Sequence, residues 1–591
     1  MQAAVEALCR DLPEGPLLLV VEDLAGSGKT EAADLFVHAL AAAGRADGAY
    51  YGLPTMATAD AAFHRKAVAL PGVLGPAADL VLAHSRAFAA RRAEGWRDRA
   101  ADEPGDSAPH EWFAASAKRA LLAGAGVGTV DQALAGALRA RHATLRLAGL
   151  WRKVLVVDEV HACDDYMTEL LAGLLRHHAM LGGHAALLSA TLPARLHARL
   201  ARAFAEGAGW VHADARGALV RGRGYPALTL HHAGGVLPPQ GAVAPARVPA
   251  PVALRRVEDF AAAVEAILGW ARAGRSVVWF RNTVDDAVEA WEGLRVRLGA
   301  EGLPPPILYH ARYLPADRAA RERELLAAAG KRAEPRDRWG RVVVATQAAE
   351  QSLDLDFDEL VSDLCPADAL IQRFGRRRRH ARDGEGALAP DGLDRRPEEA
   401  VLLIAPPLAP VGEDWYARLL PRAARVYENA GALWLTLAAL FGTEPRPGLP
   451  ALGGRFDPWR DARRLIEAVY PPEEASDAAR ALLPEPLRGP WDRSAGERMA
   501  ERRQAARWAL GFREGLLSDW RGERLEDGDD GLPTTRLGET HEVVLAVATT
   551  GGAALLGDDV DRSICRAPCG GCGALRMTTK FARSNCAASC S

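Results

Sequence analysis

Short, continuous apolar runs alternate with amphipathic stretches through most of the chain, and that alternation predicts parallel α/β layers. Residues 17–22 form a buried-strand run, followed by a Gly-rich turn and a helical stretch over 30–43. Residues 153–157 and 185–189 read as further strands. A Pro/Gly-rich stretch near 234–251 reads as a linker or surface loop. The alternation then resumes, with a helix over 257–272 and strands over 276–280 and 341–345. Residues 383–399 are polar and rich in Gly and Pro, as loops are, and 401–404 form one more strand. Beyond Pro410 the pattern changes to helices carrying many Trp and Arg, which predicts a separate, mostly helical accessory region. The expected boundaries are 1–220 and 221–408 for two α/β lobes, 409–559 for the accessory domain and 560–591 for an atypical tail. Trp415, Trp434, Trp459 and Trp491 read as core-filling residues rather than base-stacking ones.

Chemistry enters where two of these strands end. The first runs into Gly26, Ser27, Gly28, Lys29 and Thr30, and a helix follows at once. Closely spaced glycines let backbone N–H groups curl around phosphate oxygens, and the helix N-terminus adds positive potential. Lys29 is expected to reach the β- and γ-phosphates of a nucleotide, and the Thr30 hydroxyl to ligate Mg²⁺. The strict pattern wants Gly six residues before Lys29, where this chain has Asp23. The strand over 153–157 ends in Asp158 and Glu159, at the edge where open α/β sheets bind ligands. Asp158 suits the Mg²⁺ shell, and Glu159 suits orienting or deprotonating an attacking water.

Composition narrows the classes without choosing among them. The 591 residues carry 73 basic and 76 acidic side chains, a net charge of -3, so nucleic acid must be held by a local groove rather than by global attraction. No apolar run reaches the ~18–20 residues that a membrane span needs. Three of the eight Cys (Cys9, Cys163, Cys365) are scattered, which reads as a reducing, cytoplasmic protein. The other five crowd into the end, where Cys569, Cys572, Cys586 and Cys590 have the formal spacing of a Cys₄ zinc site. An abrupt change of composition after about Asp559 favours an unstructured tail over a zinc module.

Residues 343–380 read VVATQAAEQSLDLDFDELVSDLCPADALIQRFGRRRRH, in which Gln372, Arg373, Gly375, Arg376 and Arg379 match the pattern Q-R-x-G-R-x-x-R of superfamily 2 helicases. Arginines at helical spacing can place positive charge on a γ-phosphate held by a facing lobe. Further strings resemble one group within that superfamily: YGLPTMATADAAF from Tyr51, VGTVDQAL from Val127, VVDEVHACDDYM from Val156, SATLP from Ser189 and RNTVDDA from Arg281. DARRLIEAVY from Asp461 and TTRLGE from Thr534 continue the likeness more weakly. The chain thus resembles the CRISPR-associated helicases of type I systems. That resemblance implies tandem RecA-like lobes, ATP and Mg²⁺ as cofactors, and 3′ to 5′ movement on single-stranded DNA in partnership with the Cascade surveillance complex. It also implies that Lys29, Thr30, Asp158, Glu159, Gln372, Arg376 and Arg379 form the ATPase site, with Asp354 near the ribose. Ser189 and Thr191 would couple hydrolysis to movement, and Pro54, Thr55, Gly128, Thr129 and Thr346 would line the strand's path.

The family usually carries an N-terminal nuclease built on an adjacent His-Asp pair, and this chain contains no His-Asp dipeptide. The expectation is therefore no nuclease activity in this polypeptide, the nuclease being a separate chain. The doublets His177-His178 and His231-His232 read as surface or packing residues. Two rival functions stay open: a general DExH-type RNA helicase, and a nucleotide-gated DNA-binding subunit with weak turnover, the latter motivated by Asp23.

Overall fold

The computed structural model describes residues 1–24, 26–75, 79–84, 117–140, 142–210, 226–237, 250–350, 353–513, 516–518, 535–536, 540–544, 546–549, 552–555 and 564–568. Eight strands make the first sheet: β1 (Leu18–Glu22), β2 (Gly48–Leu53), β3 (Leu80–Ala83), β4 (Ala125–Thr129), β5 (Lys153–Val157), β6 (His184–Ser189), β7 (Ala227–His232) and β8 (Gly235–Leu237). Their order is β3-β4-β2-β5-β6-β1-β7-β8. β3 to β6 and β1 pair in parallel, while β7 runs antiparallel to β1 and β8 to β7. β1, β2, β4, β5 and β6 are buried along their whole length, as strands covered on both faces must be. Their apolar runs supply that burial, so strand identity is written in composition rather than in period-2 alternation.

The second sheet holds β9 (Val252–Val257), β10 (Val277–Phe280), β11 (Ile307–Tyr309), β12 (Val342–Ala345), β13 (Glu359–Asp363), β14 (Val401–Ile404) and β15 (Arg455–Phe456). The order is β11-β12-β10-β13-β14-β9-β15, parallel except for β15. Two tandem RecA-like lobes of parallel strands covered by helices are therefore the fold.

Three expectations change. The first sheet runs past residue 220, because β7 pairs with β1, and β8, within the stretch expected as a loop, closes the edge; the second sheet begins only at Val252. The helix expected from 257 starts at Phe260, since Val257 closes β9 and the Asp259 side chain caps the Ala261 N–H at 2.8 Å. The region after 409 shares one continuous apolar core with the second sheet: Trp415, Trp434, Leu465 and Trp491 pack in the same cluster as Val278, Val343 and Leu403. Trp415, Trp434 and Trp491 fill core as expected, and Trp459 is half-buried.

A helix over Gln2–Cys9, not anticipated from the sequence, packs on the helix Lys29–Ala42. Strands also follow the helices at the C-terminal end, where β16 (Gly511–Arg513) pairs with β17 (Leu516–Ser518). Residues 312–319 and the described residues beyond 537 belong to a second compact unit, in which β18 (Thr540–Val544) pairs with β21 (Ile564–Pro568) and β19 (Ala546–Thr549) with β20 (Gly552–Leu555), both antiparallel. Cys569, Cys572, Cys586 and Cys590 lie outside the described residues. Among the described residues no helix is long and apolar enough to cross a membrane.

Candidate functional site

β1 delivers its chain into a loop whose two glycines, Gly26 (φ 83°) and Gly28 (φ 86°), hold left-handed backbone that other residues resist. Ser27 stands between them, and Gly28 caps the helix Lys29–Ala42. Lys29 is 7% exposed and folds back over the loop, donating to the carbonyls of Asp23 at 2.8 Å and Leu24 at 3.1 Å. Asp23 is buried, its carboxylate accepts the Leu24 N–H at 2.8 Å, and burial raises its proton affinity. The side-chain amide of Gln2 also lies on this loop: a Cβ at Gly28 would stand 3.0 Å from Gln2 Nε2.

Parallel pairing of β5 between β2 and β6 carries Asp158 and Glu159 to the same sheet edge. Thr30 Oγ1 donates to Asp158 Oδ2 at 3.4 Å, which joins the phosphate loop to the acidic pair. Burial, and then the charge of Glu159, push the Asp158 carboxyl up to about 6. Glu159 adopts φ 51°, a strained left-handed conformation of the kind that gathers at functional sites. Its Oε2 is buried 3.5 Å from His161 Nδ1.

The second lobe closes the site. Arg379 lies directly against the phosphate loop, where a Cβ at Gly26 would meet Arg379 Nη2 at 2.8 Å. Its Nε pairs with Asp354 at 2.6 Å, and His380 Nε2 stands 2.9 Å from the same carboxylate oxygen. Burial pulls the Asp354 carboxyl upward, but the His380 hydrogen bond and the Arg379 charge hold it down to about 2. Asp354 thus holds Arg379 next to Gly26. Arg376 is buried and donates to the carbonyls of Leu353, at 2.5 Å, and Glu350. Burial and the adjacent Arg379 lower its proton affinity, to about 9. Arg373 points into its own lobe instead, bonded to Glu350 at 2.7 Å and Ser362 at 2.9 Å.

A side-chain chain crosses between the lobes. Gln372 Nε2 donates to His161 Nε2 at 2.7 Å, and His161 Nδ1 lies 3.0 Å from Ser189 Oγ. Ser189 Oγ also accepts the Thr191 N–H at 3.3 Å. The tautomer that suits both contacts carries its proton on Nδ1. His161, Gln2 and this relay were missed from the sequence: His161 was in plain view after Asp158-Glu159, but its partners are remote in the chain.

The residues expected along a strand's path are less uniform. Thr55 is exposed and caps the helix Met56–Leu74 through a reciprocal bond with Thr58. Pro54, Thr129 and Thr346 are buried. Arg536 ties Pro54 to the helix after β4, donating to the Pro54 carbonyl at 2.7 Å and to both Asp131 carboxylate oxygens at 2.9 Å. Gly128 is required by packing, since a Cβ there would fall 2.0 Å from the Ala83 carbonyl. His177 and His178 are packing residues, both buried, and burial pushes His178 down to about 4; His231 is buried on β7 and His232 half-buried.

A family profile, CRISPR-associated nuclease/helicase Cas3, C-terminal, matches residues 273–382. CRISPR-associated endonuclease/helicase Cas3 of Thermus thermophilus is 34% identical over 91% of this chain and 60% of its own length. The Escherichia coli protein of the same name is 32% identical over 73% of this chain and 47% of its own. The chain therefore spans about half to three-fifths of those relatives. The crystal structure of T. fusca Cas3 aligns with a TM-score of 0.76 at 27% identity, covering 96% of this chain and 64% of that one. A T. fusca Cas3-ATP structure aligns equally well. A chain of a CRISPR RNA-guided surveillance complex, pre-nicking, aligns with a TM-score of 0.64 at 28% identity, covering 86% of this chain and 54% of that one. This chain is a homologue of the Cas3 proteins and carries a Cas3-like C-terminal helicase region.

Proposed function

We propose that the chain is an ATP-dependent single-stranded-DNA translocase or helicase, moving 3′ to 5′ in type I CRISPR interference. The observation that carries the reading is Arg379 of one lobe lying against Gly26 in the phosphate loop of the other. A positive group there meets the charge that spreads over a transferring phosphoryl group. Lys29 binds the phosphates, Glu159 orients the attacking water, and Arg376 and Arg379 stabilise the developing charge. Gln372, His161, Ser189 and Thr191 tie that site to the lobe interface, so that loss of the γ-phosphate changes how the lobes meet.

Thr30 and Asp158 would hold Mg²⁺, and their fit rests on the crowding of Asp158 against Glu159, which a divalent cation offsets. The cation would neutralise phosphate charge. Single-stranded DNA, a Cascade-type surveillance complex and a separate nuclease chain are the proposed partners, and the cytoplasm is the proposed location. Contacts along the strand would be to phosphates, through the exposed Thr55 hydroxyl and backbone N–H groups, and therefore sequence-blind.

Phosphate release from ATP, measured with and without single-stranded DNA, tests the reading on wild type, Lys29→Ala and Arg379→Ala. DNA-stimulated turnover should fall by roughly 10³-fold or more when the arginine is removed. Turnover stimulated by RNA in preference to DNA would move the chain to the RNA-helicase reading. Tight ATP-dependent strand binding without turnover would leave a nucleotide-gated binding subunit, with Asp23 as the residue to revert.

A further inference from the structure

β1 ends on a carboxylate for which nucleotide chemistry has no use. Glu22 is 2% exposed and immediately precedes Asp23 of the phosphate loop. Its Oε1 accepts from Arg463 Nη2 at 2.8 Å, and Arg463 belongs to the helix Pro458–Val469 of the C-terminal region. Its Oε2 stands 3.4 Å from Nδ1 of His197, in the helix Ala194–Gly207 that follows Ser189 and Thr191. His197 Nε2 lies 2.9 Å from Nε2 of His231 on β7.

The protonation pattern is consistent along this line. Burial pulls Glu22 toward the neutral acid, but Arg463 and then His197 outweigh it and hold the carboxyl down to about 2. Burial pushes His231 down to about 3, so it is neutral near pH 7 and can donate its Nε2–H to His197. His197 then keeps its Nδ1–H for Glu22. One ionised carboxylate thus fastens the strand before the phosphate loop, the helix after the coupling segment, and a C-terminal helix. The backbone N–H of Asp23 adds a bond to the Ser189 carbonyl at 3.1 Å, in the same seam.

A buried ion pair is a poor way to gain stability, because desolvation offsets most of its attraction. What it supplies is direction. The pair also forms part of the wall of a cavity of about 1250 Å³, so the helix carrying Arg463 is not packed in on every side. We propose that Glu22 is a positioning residue through which the C-terminal helix Pro458–Val469 sets the phosphate loop. Arg463 holds Glu22, Glu22 holds the end of β1, and a shift of that helix reaches Lys29 through one short continuous segment. The inference rests on the reading of the loop as a nucleotide site.

The test uses the full chain with Glu22→Gln, Arg463→Met, Arg463→Lys and the Glu22→Gln/Arg463→Met double variant. The readouts are affinity for a fluorescent ATP analogue, the kcat and KM of hydrolysis, and the unfolding midpoint. Each neutralising single change should weaken analogue binding and raise KM by about tenfold, the size of a contact-range coupling. The double variant should be no worse than the worse single one, and Arg463→Lys should recover most of the affinity. Additive losses, or unchanged affinity with only a lowered unfolding midpoint, would overturn the proposal. If Glu22→Gln fails to fold, Arg463→Met against Arg463→Lys decides alone, equal losses in both counting against it. Normal analogue binding without hydrolysis in the wild type would sink the motor reading and leave this test intact, because binding needs no turnover.

Discussion

Asp158 and Glu159 place two carboxylates side by side at the end of β5, and the crowding has a measurable consequence. Asp158 must be ionised to meet a divalent cation, yet burial and Glu159 push its carboxyl up to about 6. The sign follows directly: above pH 6 the group is charged and ready, while below it a proton competes with the metal. The apparent Mg²⁺ requirement at pH 5.5 should exceed that at pH 7.5 by about fourfold, from linkage at a single site. Titrating Mg²⁺ against phosphate release at both values checks it, with Asp158→Asn as the control that lacks the step. An equal requirement at both values would remove Asp158 from the metal shell. Asp354 makes a related point in the opposite direction. The family resemblance puts it near the ribose, but its carboxylate is engaged by Arg379 and His380, a pairing visible only once the chain has folded.

Strand β4 shows how an element can carry two demands at one residue. Gly128 is expected on the strand's path, but its backbone also runs so close to β3 that a Cβ would sit 2.0 Å from the Ala83 carbonyl and 2.7 Å from the Tyr50 hydroxyl. Backbone cannot swing aside as a side chain can, so Gly128→Ala should destabilise the protein by about 1–3 kcal/mol, the usual cost of overpacking. Urea unfolding measures this, and an unchanged midpoint together with lost DNA binding would return the glycine to the path alone. What the sequence made legible follows the same division. β5 coincides with the apolar run at 153–157 because a buried parallel strand announces itself in composition. The Lys29, Asp158 and Arg379 neighbourhood was readable because each lies at the end of such a strand or in an arginine-rich string. Gln2, His161 and Arg463 were not, since their meaning comes from partners far along the chain. The helical pattern extends back over Val257 in the sequence because a strand abutting a helix blurs the change of period.

The molecule's two α/β lobes were expected to be followed by a separate accessory domain, and the packing argues otherwise. The helix Ala430–Phe441 is apolar all round, with Gly431 through Leu440 buried, and such a helix belongs to an interior rather than to a surface. It lies in the same cluster as β10, β12 and β14, together with Trp415, Phe456 and Trp491. β15 adds an antiparallel strand to the edge of the second sheet through Phe456↔Val252. Burying one large apolar side chain stabilises by ~1.5–3 kcal/mol, and a domain's whole stability is ~5–15 kcal/mol. Removing Trp415, Trp434, Phe456 and Trp491 at once therefore costs ~6–12 kcal/mol, as much as a domain's whole stability. A chain ending at residue 408 should misfold or aggregate, whereas one ending at 513, which keeps the shared core, should unfold cooperatively near the full chain's midpoint. Calorimetry of the two truncations decides it. A cooperative, ATP-binding 1–408 fragment would show that the C-terminal region is a separable domain after all, and that its contact with Glu22 is a docking event between bodies that fold independently.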